Sequence, residues 1–276
     1  AVVLAVLALA RPAWGVRYEE VHSEGLELVV AIDVSKSMLA EDAAPNRLER
    51  ARIAVGRLLD RLAERGGHRI GLIAFAGVPV VRSPVTTDYE HVREQLRRTT
   101  PDLVPRGGTL IGDAVRRALD LLDRPGEQDR IVLLLTDGED HESFPLEAAA
   151  AAADAGVTIF TVGIGDPSQG GRIPVYADDG SRRFVTHDGA EVVSRLDEAT
   201  LRRMAEMTGG GYVPAGTRTI PLDRIYDEAI AARRTARIGT TREKRHEERF
   251  QWAIAAALLL AVASRFAAPR SEEVPR

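Results

Sequence analysis

Short apolar runs alternate with stretches of helical periodicity along most of the chain. Leu28-Val29-Val30-Ala31-Ile32 and Ile131-Val132-Leu133-Leu134-Leu135 are apolar at every position, the composition of parallel strands buried on both faces. The run from Val157 to Gly163 reads the same way. From Asn46 to Glu64, Leu48, Ala51, Ala54, Val55, Leu58, Leu59 and Leu62 recur at helical spacing, and Gly66-Gly67 supplies a stop. Arg69 to Phe75 and Val78 to Pro84 flank Ala76-Gly77 and predict a hairpin at a sheet edge. Helices are predicted from Thr87-Asp88 through Leu96, over Ala114, Val115, Ala118, Leu119 and Leu122, over Ala148 to Ala155, from Asp197 to Met207 and from Ile220 to Arg233, with a last strand at Gly209 to Val213. This alternation implies an α/β fold with a doubly wound, mostly parallel central sheet and helices on both faces.

The rhythm breaks between Gly165 and Asp188, where Ile173-Pro174-Val175-Tyr176 and Arg183-Phe184-Val185-Thr186 flank Asp178-Asp179-Gly180 and predict a β-hairpin insertion. Both ends of the chain are apolar. Ala1 to Ala10 stops at Arg11, and the run from Phe250 to Ala263 stops at Arg265. The expected organisation is a transmembrane tail at 1–16, a main domain at 24–237 and a C-terminal transmembrane segment at 250–268. The second run is short against the roughly 20 residues of a span, with Arg249 and Arg265 able to snorkel and Trp252 suited to the interface. A helix packed on the domain is the rival for this run, and a signal peptide ending near Ala8-Leu9-Ala10 is the rival for the first. Thr240 to Arg249 reads as a charged juncture.

Candidate chemistry gathers at the ends of the apolar strands. Asp33-Val34-Ser35-Lys36-Ser37 follows the first run, so three short oxygen-bearing side chains leave a strand's carboxyl end. Open α/β sheets bind ligands at that edge, and oxygen donors suit a hard divalent cation. Gly107-Gly108-Thr109 places a hydroxyl at a helix start, and Thr136-Asp137-Gly138-Glu139-Asp140 discharges the second run into carboxylates. Taken singly, these residues are ordinary caps and turn formers. Together, Asp33, Ser35, Ser37, Thr109 and Asp137 form a discontinuous oxygen-ligand set. Glu41, Asp42, Glu139 and Asp140 read as solvated loop charges, Lys36 as a solvent-facing loop residue, and His141 as a surface histidine without a second His at ligand spacing.

Composition mainly excludes. With 276 residues the chain has room for one α/β domain with its own core plus small appendages. A net charge of −4 with interspersed signs gives no basic stripe for nucleic acid. The absence of cysteine removes disulfides, thiolate metal sites and Cys nucleophiles. The P-loop, Gly-x-Ser-x-Gly and His-Glu-x-x-His motifs are missing, and Ser35 stands where an Asp-x-Asp phosphoryl-transfer motif needs its second aspartate.

The pattern Asp33-x-Ser35-x-Ser37, then Thr109, then Asp137 resembles the metal-ion-dependent adhesion site of the von Willebrand factor A (VWA) family, with every position filled. Arg11-Pro12-Ala13-Trp14-Gly15 before the domain, Met38 to Asp42 continuing the loop and Pro45-Asn46-Arg47-Leu48 after it narrow the resemblance to the bacterial Bat, aerotolerance-type membrane proteins. It covers about residues 27–231. The resemblance implies a Mg²⁺ site, with Mn²⁺ or Ca²⁺ as alternatives, in which Ser35, Ser37 and Thr109 ligate through hydroxyls while Asp33 and Asp137 act through water or as hydrogen-bond acceptors. It also implies a protein partner that completes the site with a carboxylate, no catalytic residues, and a place in the bacterial inner membrane with the domain on the periplasmic side. A metal-dependent hydrolase or phosphatase using the same acidic site is the alternative.

Overall fold

The computed structural model describes residues 13–20, 25–104, 108–122, 129–176, 180–223, 226–227 and 242–248, together with the isolated positions 255, 258, 259 and 262. The chain divides into two compact units, Ser23–Arg234 and a smaller one drawn from Ala1–His22 and Thr235–Arg276.

In the smaller unit, β1 (Ala13–Glu20) pairs antiparallel with a strand at Arg242–Glu248. Ala13 to Val16, read as the end of a transmembrane tail, lie in a strand, and most of the charged juncture at 240–249 is its partner. Trp14, Val16 and Tyr18 alternate with other residues, a period-two pattern masked by the apolar run before it. Residues 1–12 and most of 250–268 lie outside the described residues; of the latter stretch, positions 255, 258, 259 and 262 are described and are helical. Among the described residues no helix is long and apolar enough to cross a membrane.

The larger unit is built on a six-stranded sheet. Its elements are β2 (Leu26–Asp33), α1 (Arg47–Arg65), β3 (Arg69–Phe75), β4 (Pro79–Thr86), α2 (Tyr89–Arg97), α3 (Ile111–Leu122), β5 (Asp129–Thr136), α4 (Pro145–Asp154) and β6 (Thr158–Ile164). The insertion follows as β7 (Gly171–Arg172), β8 (Pro174–Tyr176), β9 (Arg182–Phe184), β10 (Thr186–His187), β11 (Ala190–Glu191) and β12 (Val193–Ser194). Then come α5 (Glu198–Met207) and β13 (Tyr212–Gly216); the strand Arg242–Glu248 of the smaller unit is β14. The strand order is β13-β6-β5-β2-β3-β4, parallel throughout except for the antiparallel edge strand β4.

The β2 run is buried at every position because alternate side chains serve two cores. Leu28, Val30 and Ile32 join Leu48, Val55, Leu59 and Leu62 of α1 and Val92 and Leu96 of α2. Val29 and Ala31 join Ile111, Val115 and Leu122 of α3, Ala148 and Ala152 of α4, and Leu201 and Met204 of α5. Helix ends follow local chemistry. Asn46 caps α1 by accepting from the Glu49 N–H at 2.7 Å, Asp88 caps α2 through the His91 N–H at 2.9 Å, and Asp197 caps α5. The predicted hairpin in the insertion is β8–β9, and β7–β12 and β10–β11 are two further antiparallel pairs. In the predicted Ile220–Arg233 helix, positions 222, 223, 226 and 227 are helical, Ile220 and Pro221 are not, and the others lie outside the described residues.

From β2 the chain moves outward to β3 and β4, then returns to the other side of β2 as β5. The carboxyl ends of β2 and β5 therefore flank the point where strand order reverses, the place where open α/β sheets hold ligands.

Candidate metal centre at the sheet's switch point

Asp33 is the last residue of β2 and Thr136 the last of β5, so backbone pairing fixes their separation before any side chain acts. The Thr136 hydroxyl donates to Asp33 Oδ2 at 2.6 Å, and the Ser35 N–H donates to Asp33 Oδ1 at 2.8 Å. Asp33 thus orders the loop that carries the two candidate serines. A short 3-10 turn, Lys36–Leu39, continues the loop, and Val34 and Met38 pin it by burying in the core. Ser35 Oγ and Ser37 Oγ converge to 2.8 Å, both residues being buried.

Asp137 follows β5 and is fully buried. Its carbonyl accepts from the Asp197 N–H at 2.9 Å. Gly138 makes that approach feasible: it sits at φ 81°, and a Cβ there would come within 2.5 Å of the Asp197 carbonyl. Thr109, 2% exposed, comes to the same edge from the loop before α3. Its N–H donates to His141 Nδ1 at 3.2 Å, its carbonyl accepts from the His141 N–H at 2.9 Å, and the next residue, Leu110, donates to the Ala76 carbonyl beyond β3 at 2.9 Å. The loops after β2, β3 and β5 and the start of α3 therefore meet at one edge.

Burial, and next the facing Asp137 carboxylate, hold Asp33 well above the usual carboxylate range. Glu139 is raised for the same two reasons, and its Oε1 accepts from the Arg195 N–H at 3.1 Å.

Sequence reasoning missed Arg47. It opens α1, where a cation opposes the helix dipole, and that misplacement was the available signal. The side chain is fully buried. Nε and Nη2 grip Asp42 Oδ1 and Oδ2 at 2.9 and 2.6 Å, Nη1 donates to Asp137 Oδ2 at 2.9 Å and to Ser194 Oγ at 2.7 Å, and Nη2 also reaches the Ser194 carbonyl at 3.0 Å. Burial opposes its charge, but the carboxylates on either side more than offset that and keep it protonated. Gly165, at φ 128°, leaves the space the guanidinium occupies, since a Cβ there would stand 2.7 Å from Arg47 Cζ.

Two of the rim acids are also tied into the structure. Asp42 is the carboxylate of the Arg47 pair and not a solvated loop charge. Burial would raise it, yet the bonds from Arg47 and the Asp166 N–H hold it below the ordinary value. Asp140 accepts from the Ile111 N–H at 2.9 Å and the Ser143 N–H at 2.9 Å, capping α3 from a distant loop. Glu41 stays at the surface, paired with Arg182. Lys36 and His141 are exposed, as expected.

With this geometry, comparison with known proteins is informative. Residues 28–139 match the von Willebrand factor type A domain. A solved structure of the conserved hypothetical protein BatB from Bacteroides thetaiotaomicron is 32% identical and superposes with a TM-score of 0.68, covering 77% of this chain and 100% of that one. The chain belongs to the von Willebrand factor type A domain family. A second VWA relative, an aerotolerance-related membrane protein from Bacteroides fragilis, is 30% identical with a TM-score of 0.63 over 75% of this chain and 98% of that one. The UPF0353 protein of Mycolicibacterium paratuberculosis is 30% identical over 223 residues, 75% of this chain, and this chain spans 60% of that protein's length. At 17% identity and a TM-score of 0.54, proximal thread matrix protein 1 from the mussel byssus shares the VWA fold over 76% of this chain and 46% of its own, and its structure has a zinc-occupied metal-ion-dependent adhesion site.

Proposed function

We propose that this VWA domain binds a divalent cation, Mg²⁺ in the first place, through Asp33, Ser35, Ser37, Thr109 and Asp137 and uses it to grip another protein. The observation that carries this reading is the meeting of Ser35 Oγ and Ser37 Oγ at 2.8 Å beside Asp33, on the crevice between β2 and β5. The donors are all oxygen, the chemistry of a hard cation. Asp33 and Asp137 are both fully buried and face one another, with Arg47 bonded only to the second, so positive charge is wanted between them. The zinc of the byssus protein supports the same use of the fold.

In this reading Ser35, Ser37 and Thr109 hold the ion through hydroxyls, and Asp33 and Asp137 orient its water. A bound ion would supply an electrophilic position suited to a carboxylate from a partner. Asp33 keeps the Ser35 loop in place through the Ser35 N–H, and Thr136 keeps Asp33 in place. The partner is a protein of the same membrane or periplasmic system, and the chain is anchored in a bacterial inner membrane with this domain on the periplasmic side. The description of the B. fragilis relative as a membrane protein supports that location. The domain is a binding module and not an enzyme in this reading, because the carboxylates beside the hydroxyls are already engaged, Asp33 by the Thr136 hydroxyl and the Ser35 N–H and Asp137 by Arg47.

Calorimetric titration with Mg²⁺, followed by capture of envelope proteins with the full chain, tests this reading. Unmutated protein binds the ion and captures a partner that chelator releases, while Asp33→Ala does neither. Capture that is equal in chelator and with Asp33→Ala rules out the adhesion mechanism, and Mg²⁺-dependent turnover of a phosphate ester, lost in Asp137→Ala, makes the protein an enzyme.

A further inference from the structure

The guanidinium of Arg47 touches more than the candidate metal centre. It offers five N–H donors, and its contacts reach two oxygens of Asp42, Asp137 Oδ2, and the hydroxyl and carbonyl of Ser194. Ser194 closes the triangle, its hydroxyl lying 3.2 Å from Asp137 Oδ2. Ser194 belongs to β12, the strand by which the chain leaves the insertion, and β12 pairs with β7, by which it enters. The entering segment is held by the same cluster. The Asp166 N–H donates to Asp42 Oδ2 at 2.9 Å, and a Cβ on Gly171 would meet Asp42 Cγ at 2.8 Å. Both ends of the insertion thus close on the Asp42–Arg47 pair, and that pair is bonded directly to Asp137. A further tie from the insertion to the β2 loop, Arg182 to Glu41, lies half-exposed and is weak on that account.

We propose that Arg47 is a positioning residue that clasps the insertion, through Ser194, to Asp137, so that cation binding at the sheet edge and seating of the insertion are one coupled event. This rests on the cation-site reading above. Arg47 and Ser194 both engage Asp137 Oδ2, whereas Oδ1 accepts only the long 3.4 Å bond from the Glu139 N–H, so Oδ1 is the less committed oxygen among the described contacts. A metal that draws on Asp137 therefore pulls, through Arg47, on both ends of the insertion. Coupling between sites is reciprocal: whatever engages the insertion changes ion affinity by the same factor that the ion changes its engagement. A partner that supplies a carboxylate would then be read at the ion and on the insertion together.

The test uses the full chain, Mg²⁺ calorimetry and hydrogen–deuterium exchange of peptides spanning 171–194. In the unmutated protein Mg²⁺ raises protection across the insertion. Arg47→Lys keeps the charge but loses the planar fork, and weakens Mg²⁺ binding by roughly tenfold or more, as loss of a group that orients a ligand does, while abolishing the Mg²⁺-dependent protection. Ser194→Ala, a milder change that serves if Arg47→Lys does not fold, weakens binding by about threefold to tenfold and reduces the protection response. Wild-type affinity and wild-type protection in folded Ser194→Ala or Arg47→Lys overturn the clasp and leave the cation site standing. Tighter binding by Arg47→Met with no change in Arg47→Lys also overturns it, because Arg47 is then only a counter-charge. Failure of the unmutated chain to bind Mg²⁺ overturns the cation-site reading, and the coupling with it.

Discussion

Polar groups are buried at both edges of the central sheet, and the two edges treat them differently. At the amino edge, where β2 and β3 begin, His68 is 5% exposed. Its Nδ1 accepts from the Leu26 N–H at 3.3 Å, its Nε2 lies 2.6 Å from the Tyr226 hydroxyl, and its carbonyl accepts from the Tyr89 hydroxyl at 2.8 Å. Beside it, Glu27 and Arg69 face each other across the strand pair as an ion pair of opposite charges. Donors match acceptors there, and charge matches charge. At the carboxyl edge Asp42 and Asp137 share the guanidinium of Arg47, and Asp33 faces Asp137 with no ion pair of its own among the described residues. The first edge is complete within the chain, whereas the second carries more negative charge than its own cation balances. That imbalance, rather than burial of polar groups as such, marks a site that works on something outside the chain.

The comparison breaks most severely at Arg47. Arg47→Met leaves Asp137 fully buried and Asp42 partly buried without their cation, which should cost about 3–5 kcal/mol of stability in urea denaturation of the metal-free chain. A loss under 1 kcal/mol would mean the carboxyl edge reorganises freely and that its charge balance is unimportant. His68→Phe is the matching cut at the amino edge. It removes the acceptor of the Leu26 N–H and the partner of the Tyr226 hydroxyl, so stability should fall by about 1–3 kcal/mol while Mg²⁺ affinity stays unchanged. A changed affinity would show that the edges are not separate in function.

The difference between the edges was only half legible in the sequence. The strands announced themselves because the middles of β2 and β5, Leu28 to Ile32 and Ile131 to Leu135, are buried on both faces and lack polar positions. The candidate ligands were legible for the same reason, since Asp33 and Asp137 end apolar runs that leave little doubt about where the strands stop. Arg47 and Ser194 were not, because their contact joins positions 147 residues apart and neither has a local pattern beyond a cation on the wrong end of a helix. His68 has no local signal in the sequence, since its partners Leu26, Tyr89 and Tyr226 come from three separate places in the chain. The β1–β14 pair escaped because Arg242 to Glu248 is charged at every position but His246, so its extended form is set by its partner strand and not by its own composition.

The smallest expected effect, per step, is a slope with pH, and it distinguishes two aspartates of one loop. Asp42 is held below the ordinary aspartate value of 3.8, with burial opposing the shift and Arg47 leading the groups that produce it. Its contribution to stability is present above that value and is lost as pH falls through the lower folded one. Asp33 is raised above 3.8 by burial and then by Asp137. The folded chain therefore binds a proton there more tightly than the unfolded chain, and the associated stability is fully present below 3.8 and is lost as pH rises toward the folded value. In metal-free protein, stability relative to Asp33→Asn should decline above pH 3.8 by at most about 1.4 kcal/mol per pH unit, a limit set by one proton. Saturating Mg²⁺ should remove the decline, because an ion between Asp33 and Asp137 favours the charged carboxylate that burial disfavours. Denaturation series at several pH values, with and without Mg²⁺, measure it. If unmutated protein and Asp33→Asn run parallel in chelator, Asp33 is already compensated inside the chain, and the carboxyl edge is as self-contained as the amino edge.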